Sequence, residues 1–231
     1  MEKKEKSKMD ELILTFHGIG DPPADIPDAE IPYWISENDF LGFIDQAKAV
    51  SQDIGLRLTV SFDDGNLSDI LIAAPILKNS NIDGIFFPCS GRIGKVGYLD
   101  ANDIRSLSAQ GFYIGSHGVD HLPWTSLDTA KLIFELRNSK TVLEEILCHT
   151  INSAALPFGS YNRKVLATLR NEGYNTIYSS DPGFAHPHST FQCRLGYKSG
   201  MDNDLKVHII KLRNPVQKIF RTSKHLIKAL R

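Results

Sequence analysis

Residues 56–66 read LRLTVSFDDGN, a strand pattern that ends abruptly in acid. Leu58, Val60 and Phe62 alternate with polar or β-branched positions, as in a buried strand. The run stops at two adjacent carboxylates, Asp63 and Asp64, and Gly65 supplies the backbone freedom for a turn into a helical pattern. In parallel α/β folds the carboxyl ends of the strands carry the chemistry. Asp-Gly is also a common turn pair, and an Asp ahead of a helix is often a simple cap. The rest of the chain has to decide between the two readings.

Working outward, LILTF at 12–16 reads as a first buried strand that ends at His17-Gly18. A Pro- and Asp-rich loop covers about 20–32. Ser36 with Asp39 has the signature of a capping box, and Phe40, Phe43, Ile44, Ala47 and Val50 then recur at helical spacing. Downstream, helices are expected over about 67–78, 101–109, 126–148 and 163–171. The longest of them should turn Ile133, Leu136, Leu143 and Leu147 inward and its Glu and Lys residues outward. Strands are expected at 84–89, where Pro88 marks an irregular end, and at 112–116, 153–156, 176–179 and 191–195. Strands alternating with helices imply parallel βαβ units with right-handed crossovers. About seven parallel strands point to an α/β fold of (β/α) barrel type, an incomplete one.

The composition fits one substantial core: 231 residues, 42% apolar and 23% charged. A formal net charge of −1 gives no global field to draw nucleic acid or an anionic membrane. No G-x-G-x-x-G or P-loop follows a strand, which argues against dinucleotide or nucleotide binding. Cys89, Cys148 and Cys193 are scattered and odd in number, consistent with a reduced compartment and no disulfide framework. The charged start lacks an apolar signal-type run, and no segment approaches the ~20 apolar residues of a membrane span. A cytoplasmic protein is therefore expected, with no transmembrane segment and its oligomeric state open. The expected organisation is a charged extension over 1–10, a barrel domain over 11–200 and a basic helical tail over 201–231. That tail, with Ile219, Leu226, Ile227 and Leu230, should pack on the outside or at a subunit contact, a membrane-surface role being the alternative.

Three of the expected strands end in residues suited to one metal site. One gives Asp63 and Asp64, the next gives Ser116-His117-Gly118-Val119-Asp120-His121, and a third gives Pro157-Phe158-Gly159. Two histidines four apart fall on one side of a tight loop or helical turn. With one carboxylate they make a His₂-carboxylate set that leaves positions open for water and substrate, as catalytic zinc requires.

In this order and spacing, Ser-Phe-Asp-Asp-Gly (61–65), Ser-His-x₃-His (116–121) and Leu-Pro-Phe-Gly (156–159) resemble the first three motifs of the polysaccharide deacetylases, the NodB-homology domain of carbohydrate esterase family 4. The likeness extends over about residues 12–195 and takes in the Phe-His-Gly of the first strand. It implies a distorted, incomplete (β/α) barrel and metal-dependent removal of N-acetyl, less often O-acetyl, groups from a glycan or sugar precursor. By position, the resemblance makes Asp64, His117 and His121 the metal ligands and Asp63 the general base. It gives the backbone N–H of Phe158 to an oxyanion hole, and implies a divalent ion, zinc first, with cobalt, nickel or manganese as alternatives.

Two positions depart from the family's pattern. The third motif's arginine is replaced by Ala155, and Arg194 on the last expected strand is a candidate to supply that charge to Asp63. The family's late histidine has no clear match; His17 is the preferred general acid, with His208, His186 and His188 behind it. Tyr33, Trp34 and Trp124 either stack on sugar rings or cap the core. Hydrolysis of another amide or imide, and a catalytically weak sugar-binding protein, stay open as alternatives.

Overall fold

The computed structural model describes residues 10–23, 26–199, 205–214, 223 and 225–230. The expected N-terminal extension, apart from Asp10, and much of the basic tail lie outside the described residues.

The chain opens with β1 (Glu11–Phe16), a short parallel pair β2 (Gly18–Ile19) and β3 (Trp34–Ile35), helix α1 (Glu37–Ile54) and β4 (Arg57–Asp64). It continues through α2 (Ala74–Ser80), β5 (Asp83–Pro88), α3 (Ala101–Ala109), β6 (Tyr113–Ile114) and α4 (Thr129–Leu147). β7 (Ser153–Ala155), α5 (Arg163–Asn171), β8 (Thr176–Tyr178), β9 (Phe191–Gln192), β10 (Leu195–Gly196) and α6 (Leu205–Arg213) complete it. The parallel order β10-β1-β4-β5-β6 is joined through a parallel bridge, Ser116 to Ala154, to the parallel set β7-β8-β9. The result is a curved row of parallel strands, an incomplete (β/α) barrel of the expected kind. β2 and β3, each of two residues, are too short for periodicity to register, and the single strand expected over 191–195 is split into β9 and β10, with Arg194 between the two.

Side-chain alternation along β4 sorts its residues onto two faces. Phe16, Phe62 and Phe86 lie in register across β1, β4 and β5; Phe16 packs on Phe40 and Phe43 of α1, Phe62 on Phe40, and Phe86 on Phe112. Burying each such ring is worth about 1.5–3 kcal/mol. The alternate residues Thr15, Ser61 and Asp63 form a hydrogen-bonded polar layer with Arg194, so the interior of this barrel is polar at that level.

Several sequence expectations need correction. The helix expected over 67–78 is a wide π-turn, Asp69–Ala73, running into α2. Pro75 lacks the N–H that would close an α-turn on Leu71, and the turns ahead of it widen. At Ser36 the hydroxyl caps the Asp39 N–H, but the Asp39 carboxylate returns to that hydroxyl instead of the backbone; the reciprocal box is at Asp100 and Asp103. On α4 the buried face is Leu132, Glu135, Leu136, Ser139 and Leu143, so Glu135 points inward against expectation. α6 packs through Leu205, Ile209 and Leu212; of the apolar tail residues expected to pack, Leu226, Ile227 and Leu230 are exposed and Ile219 lies outside the described residues. Among the described residues, no helix is long and apolar enough to cross a membrane.

Candidate metal centre

Asp63 ends β4 on its interior face and is buried. Arg194, fully buried, meets it with two parallel bonds, Nη1 to Oδ1 at 2.7 Å and Nη2 to Oδ2 at 2.8 Å. The guanidinium is itself fixed, since Nε donates to the Ser179 carbonyl at 3.1 Å and Nη1 to Ser61 Oγ at 3.2 Å. Burial alone would raise the Asp63 carboxyl, but the charge and hydrogen bonds of Arg194 overcome it and hold the group well below the usual carboxylate range. The ionised form of Asp63 is thus favoured, with both oxygens oriented.

The next residue leaves the strand conformation. Asp64 has φ 79°, a left-handed backbone that costs a non-glycine residue about 1–3 kcal/mol. Gly65 follows at φ 79° and passes so close to Pro88 that a Cβ would sit 2.7 Å from the proline ring. This double reversal swings Asp64 away from Asp63 and toward the loop after β6. There His117 Nε2 lies 3.7 Å, and His121 Nε2 3.4 Å, from Asp64 Oδ1. One donor atom from each of the three residues falls within 4.8 Å of the others. Donors 2.0–2.1 Å from a tetrahedral zinc stand roughly 3.4 Å apart, so this trio has the spacing of a coordination shell.

The loop is held from several sides. His117 Nδ1 sits 3.0 Å from the Ala155 carbonyl, which fixes the ring with Nε2 toward Asp64. Ser90 and Gly91 donate their N–H groups to the carbonyls of Gly118 and Val119 at 2.9 and 3.0 Å. From α4, Glu135 Oε2 accepts from Val119 N at 2.8 Å and from Asp120 N at 3.2 Å. His121, itself at φ 51°, has its Nδ1 3.5 Å from Glu30 Oε1 and 3.4 Å from Arg92 Nη2. Arg92 pairs with Glu30 at 2.8 Å and lies 3.5 Å from Asp64.

Burial pushes His117 down to about 4, against the pull of Asp63, so it stays neutral and ready to donate to an ion. His121 moves up: burial lowers it, but Glu30 and Asp64 more than compensate. Burial likewise opposes ionisation of Glu30, yet bonds to His121 and Arg92 bring it to about 2.

These groups open on a cavity of about 790 Å³. His17 lines it, its Nδ1 buried with no hydrogen-bond partner among the described residues, and its ring lies 4.6 Å from Tyr33. Phe158, 61% exposed at φ 57°, stacks over His121 with ring centres 4.5 Å apart. His208, Trp34 and Lys198 also line the cavity. Trp124 does not; it is fully buried behind Gly118 and belongs to the core. His186 bonds Asp10, away from the cavity, and His225 bonds Tyr161.

Sequence reasoning missed Glu30, Arg92, Glu135 and Asp69. Glu135 left a trace, a charge on the otherwise apolar face of α4; Glu30 in an irregular loop left none. Asp69 is fully buried, with neither oxygen hydrogen-bonded among the described residues. Burial, then the charges of Asp64 and Asp63, push its carboxyl well above the ordinary range, which favours the protonated form.

Residues 55–177, a little over half the chain, match the family model described as polysaccharide deacetylase. The Bacillus subtilis protein YxkH, whose name places it among the polysaccharide deacetylases, is 26% identical over 126 residues, 54% of this chain and 45% of its own. ArnD of Wigglesworthia glossinidia brevipalpis, named for a 4-deoxy-4-formamido-L-arabinose-phosphoundecaprenol deformylase, is 33% identical over 99 residues, 40% of this chain and 34% of that protein. These alignments span less than half the length of either relative. In fold, the Streptococcus pyogenes deacetylase PplD, solved in complex with acetate, aligns with TM-score 0.73 at 17% identity, over 90% of this chain and 100% of that one.

Proposed function

This chain belongs to the polysaccharide deacetylase family, and on that premise we propose that it is a metal-dependent hydrolase removing an N-acetyl group from an amino sugar in a glycan or its precursor. The observation that carries the reading is the division of two adjacent acids: Asp64 turned to His117 and His121, Asp63 turned to Arg194. Asp64, His117 and His121 would hold the ion, zinc by the character of two imidazoles and one carboxylate. When bound, a divalent ion lowers the pKa of a coordinated water toward 7 and polarises the acyl carbonyl.

Asp63 then serves as general base. Held low by Arg194, it is a weak base on its own, but favoured in its ionised form and aimed from inside the barrel. Phe158 offers its backbone N–H to the developing oxyanion, and its exposed ring, with Tyr33, forms an apolar rim on which a sugar face can stack. His17, half-buried at the cavity wall with its Nδ1 unpartnered among the described residues, would protonate the departing amine.

The Asp63→Asn protein should keep its ion and lose turnover, and His117→Ala should lose both, read by metal analysis and acetate release with and without chelator. Equal metal loss in the two variants would refute the assignment. The name of the ArnD relative favours a second substrate class, a formylated amino sugar on a lipid phosphate. Measuring formate against acetate in the product separates the two.

A further inference from the structure

Outside the three ligands and Asp63, the site holds one more ionised pair, Glu30 with Arg92. Arg92 is the anchored member. It sits in the Ser90–Arg92 turn, whose N–H groups bond the Gly118 and Val119 carbonyls, and its guanidinium lies over the Tyr98 ring at 5.1 Å. Glu30 comes from segment 26–33, which ends in a 3-10 turn over Ile31–Tyr33 and whose Pro27, Ala29 and Tyr33 form one wall of the cavity. That segment is cross-tied locally, Glu30 N to Pro27 O at 2.8 Å and Tyr33 N to Glu30 O at 3.0 Å, and Pro32 O accepts from Ser199 N at 2.8 Å.

We propose that Glu30, held by Arg92, is the positioning carboxylate for the metal ligand His121, so that ion binding and the fixing of the 26–33 cavity wall are one coupled event. The inference rests on the metal reading above. Coordination through Nε2 leaves the ring proton of His121 on Nδ1. Of the two groups facing Nδ1, Arg92 at 3.4 Å has only donors, whereas Glu30 at 3.5 Å can accept. A carboxylate there fixes the ring and strengthens the ligand, as outer partners of metal-binding histidines do.

Charge gives Glu30 a second task. Arg92 Nη1 lies 3.5 Å from Asp64 Oδ1, the same oxygen that faces both imidazoles. A bare guanidinium at that point repels an incoming cation; Glu30, at 2.8 Å from Nη2, cancels it. Because linkage is reciprocal, whatever Glu30 adds to ion affinity the ion adds to the ordering of segment 26–33.

The test is competition for Zn²⁺ against a fluorescent chelator, with amide hydrogen exchange read at Glu30 and Tyr33. Glu30→Gln should weaken zinc binding about 10–100-fold, the range for loss of such a partner, and Glu30→Asp should restore part of it. Zinc should slow exchange at both amides in the wild type and leave them unchanged in Glu30→Gln. Arg92→Gln, a second route should Glu30→Gln misfold, should speed exchange at the same amides while changing zinc affinity less, because it removes the repulsion together with the tether. Exposed Glu37→Gln on α1 serves as the unaffected control. Zinc affinity in Glu30→Gln within about twofold of wild type, far below that range, would overturn the inference and leave the metal reading standing. A wild-type protein that binds no zinc would overturn the metal reading and the inference with it.

Discussion

Asp63 and Asp64 are neighbours turned to different partners, and backbone geometry separates them. Strand alternation points Asp63 into the barrel, and the left-handed turn at Asp64 sends the next carboxylate to the imidazoles. Arg194 completes the division. Truncating one member of a fully buried pair leaves a charge with no compensation, so Arg194→Ala should cost about 3–5 kcal/mol in urea unfolding. It should also abolish turnover by releasing Asp63 from its aim, whereas Arg194→Lys should keep part of the stability and little of the activity, having lost the two-pronged grip. A different sign applies at Asp69, whose buried carboxyl is raised. Its proton is lost more easily from the unfolded chain. The penalty is therefore absent below about pH 4, the ordinary Asp value, and grows as pH rises toward the folded value. Asp69→Asn should raise the urea midpoint at pH 8 and converge with wild type near pH 4; a gain that is equal at both would refute the raised carboxyl. Of these residues, the adjacent acids were legible from one strand and one glycine. The pairing of Asp63 with a residue 131 positions away was reachable only as a guess at a missing charge, and Asp69 was silent because a buried Asp looks in sequence like any helix-start Asp.

The element that holds the imidazoles is the 117–121 loop, and a helix interior holds the loop. Glu135, itself fully buried, accepts the backbone N–H groups of Val119 and Asp120. A hydrogen bond to a charged acceptor is worth about 1.5–3 kcal/mol, so Glu135→Ala should lower stability by about that much and loosen zinc binding, while Glu135→Gln, which keeps a carbonyl acceptor, should lose far less. Thermal melts with zinc titration of both variants check this; equal loss would mean that charge, not acceptance, is what the loop needs. Sequence periodicity located α4 but started it at 126, three residues early; Asp128 caps its N-terminus and Cys148 at φ 55° ends it. Periodicity could not turn Glu135 inward, because the rule that charged residues face water fails where backbone donors await a partner. It also missed the π-turn over Asp69–Ala73, which depends on the proline that follows it. Helix caps and apolar stripes are local and hence readable, whereas a side chain bonded to a distant loop is not.

At the level of the whole molecule, the row of parallel strands brings the ends of β4, β6 and β10 to one rim, although their residues are far apart in the chain. The expected alternation of strands and helices was enough to give the barrel, because each βαβ unit is a local decision of fixed handedness. Where the row stops, and that it is stitched at Ser116 to Ala154 by backbone bonds of 2.9 Å, depends on packing and was not readable. That geometry has a thermodynamic consequence. An ion held by Asp64, His117 and His121 would tie the end of β4 to the loop after β6, more than fifty residues on, and only in the folded chain. Free zinc at 100 times its dissociation constant should therefore add about 2.7 kcal/mol to the folded state. For a protein of this size that raises the melting temperature by roughly 5–11 °C, at about 2–4 °C per kcal/mol. His117→Ala, which breaks the tie, should melt at one temperature with or without zinc, while Asp63→Asn, whose acid faces Arg194, should show the full rise. A zinc shift that survives His117→Ala would mean that the ion is held elsewhere on the fold, and the strand-end division of labour would have to be redrawn.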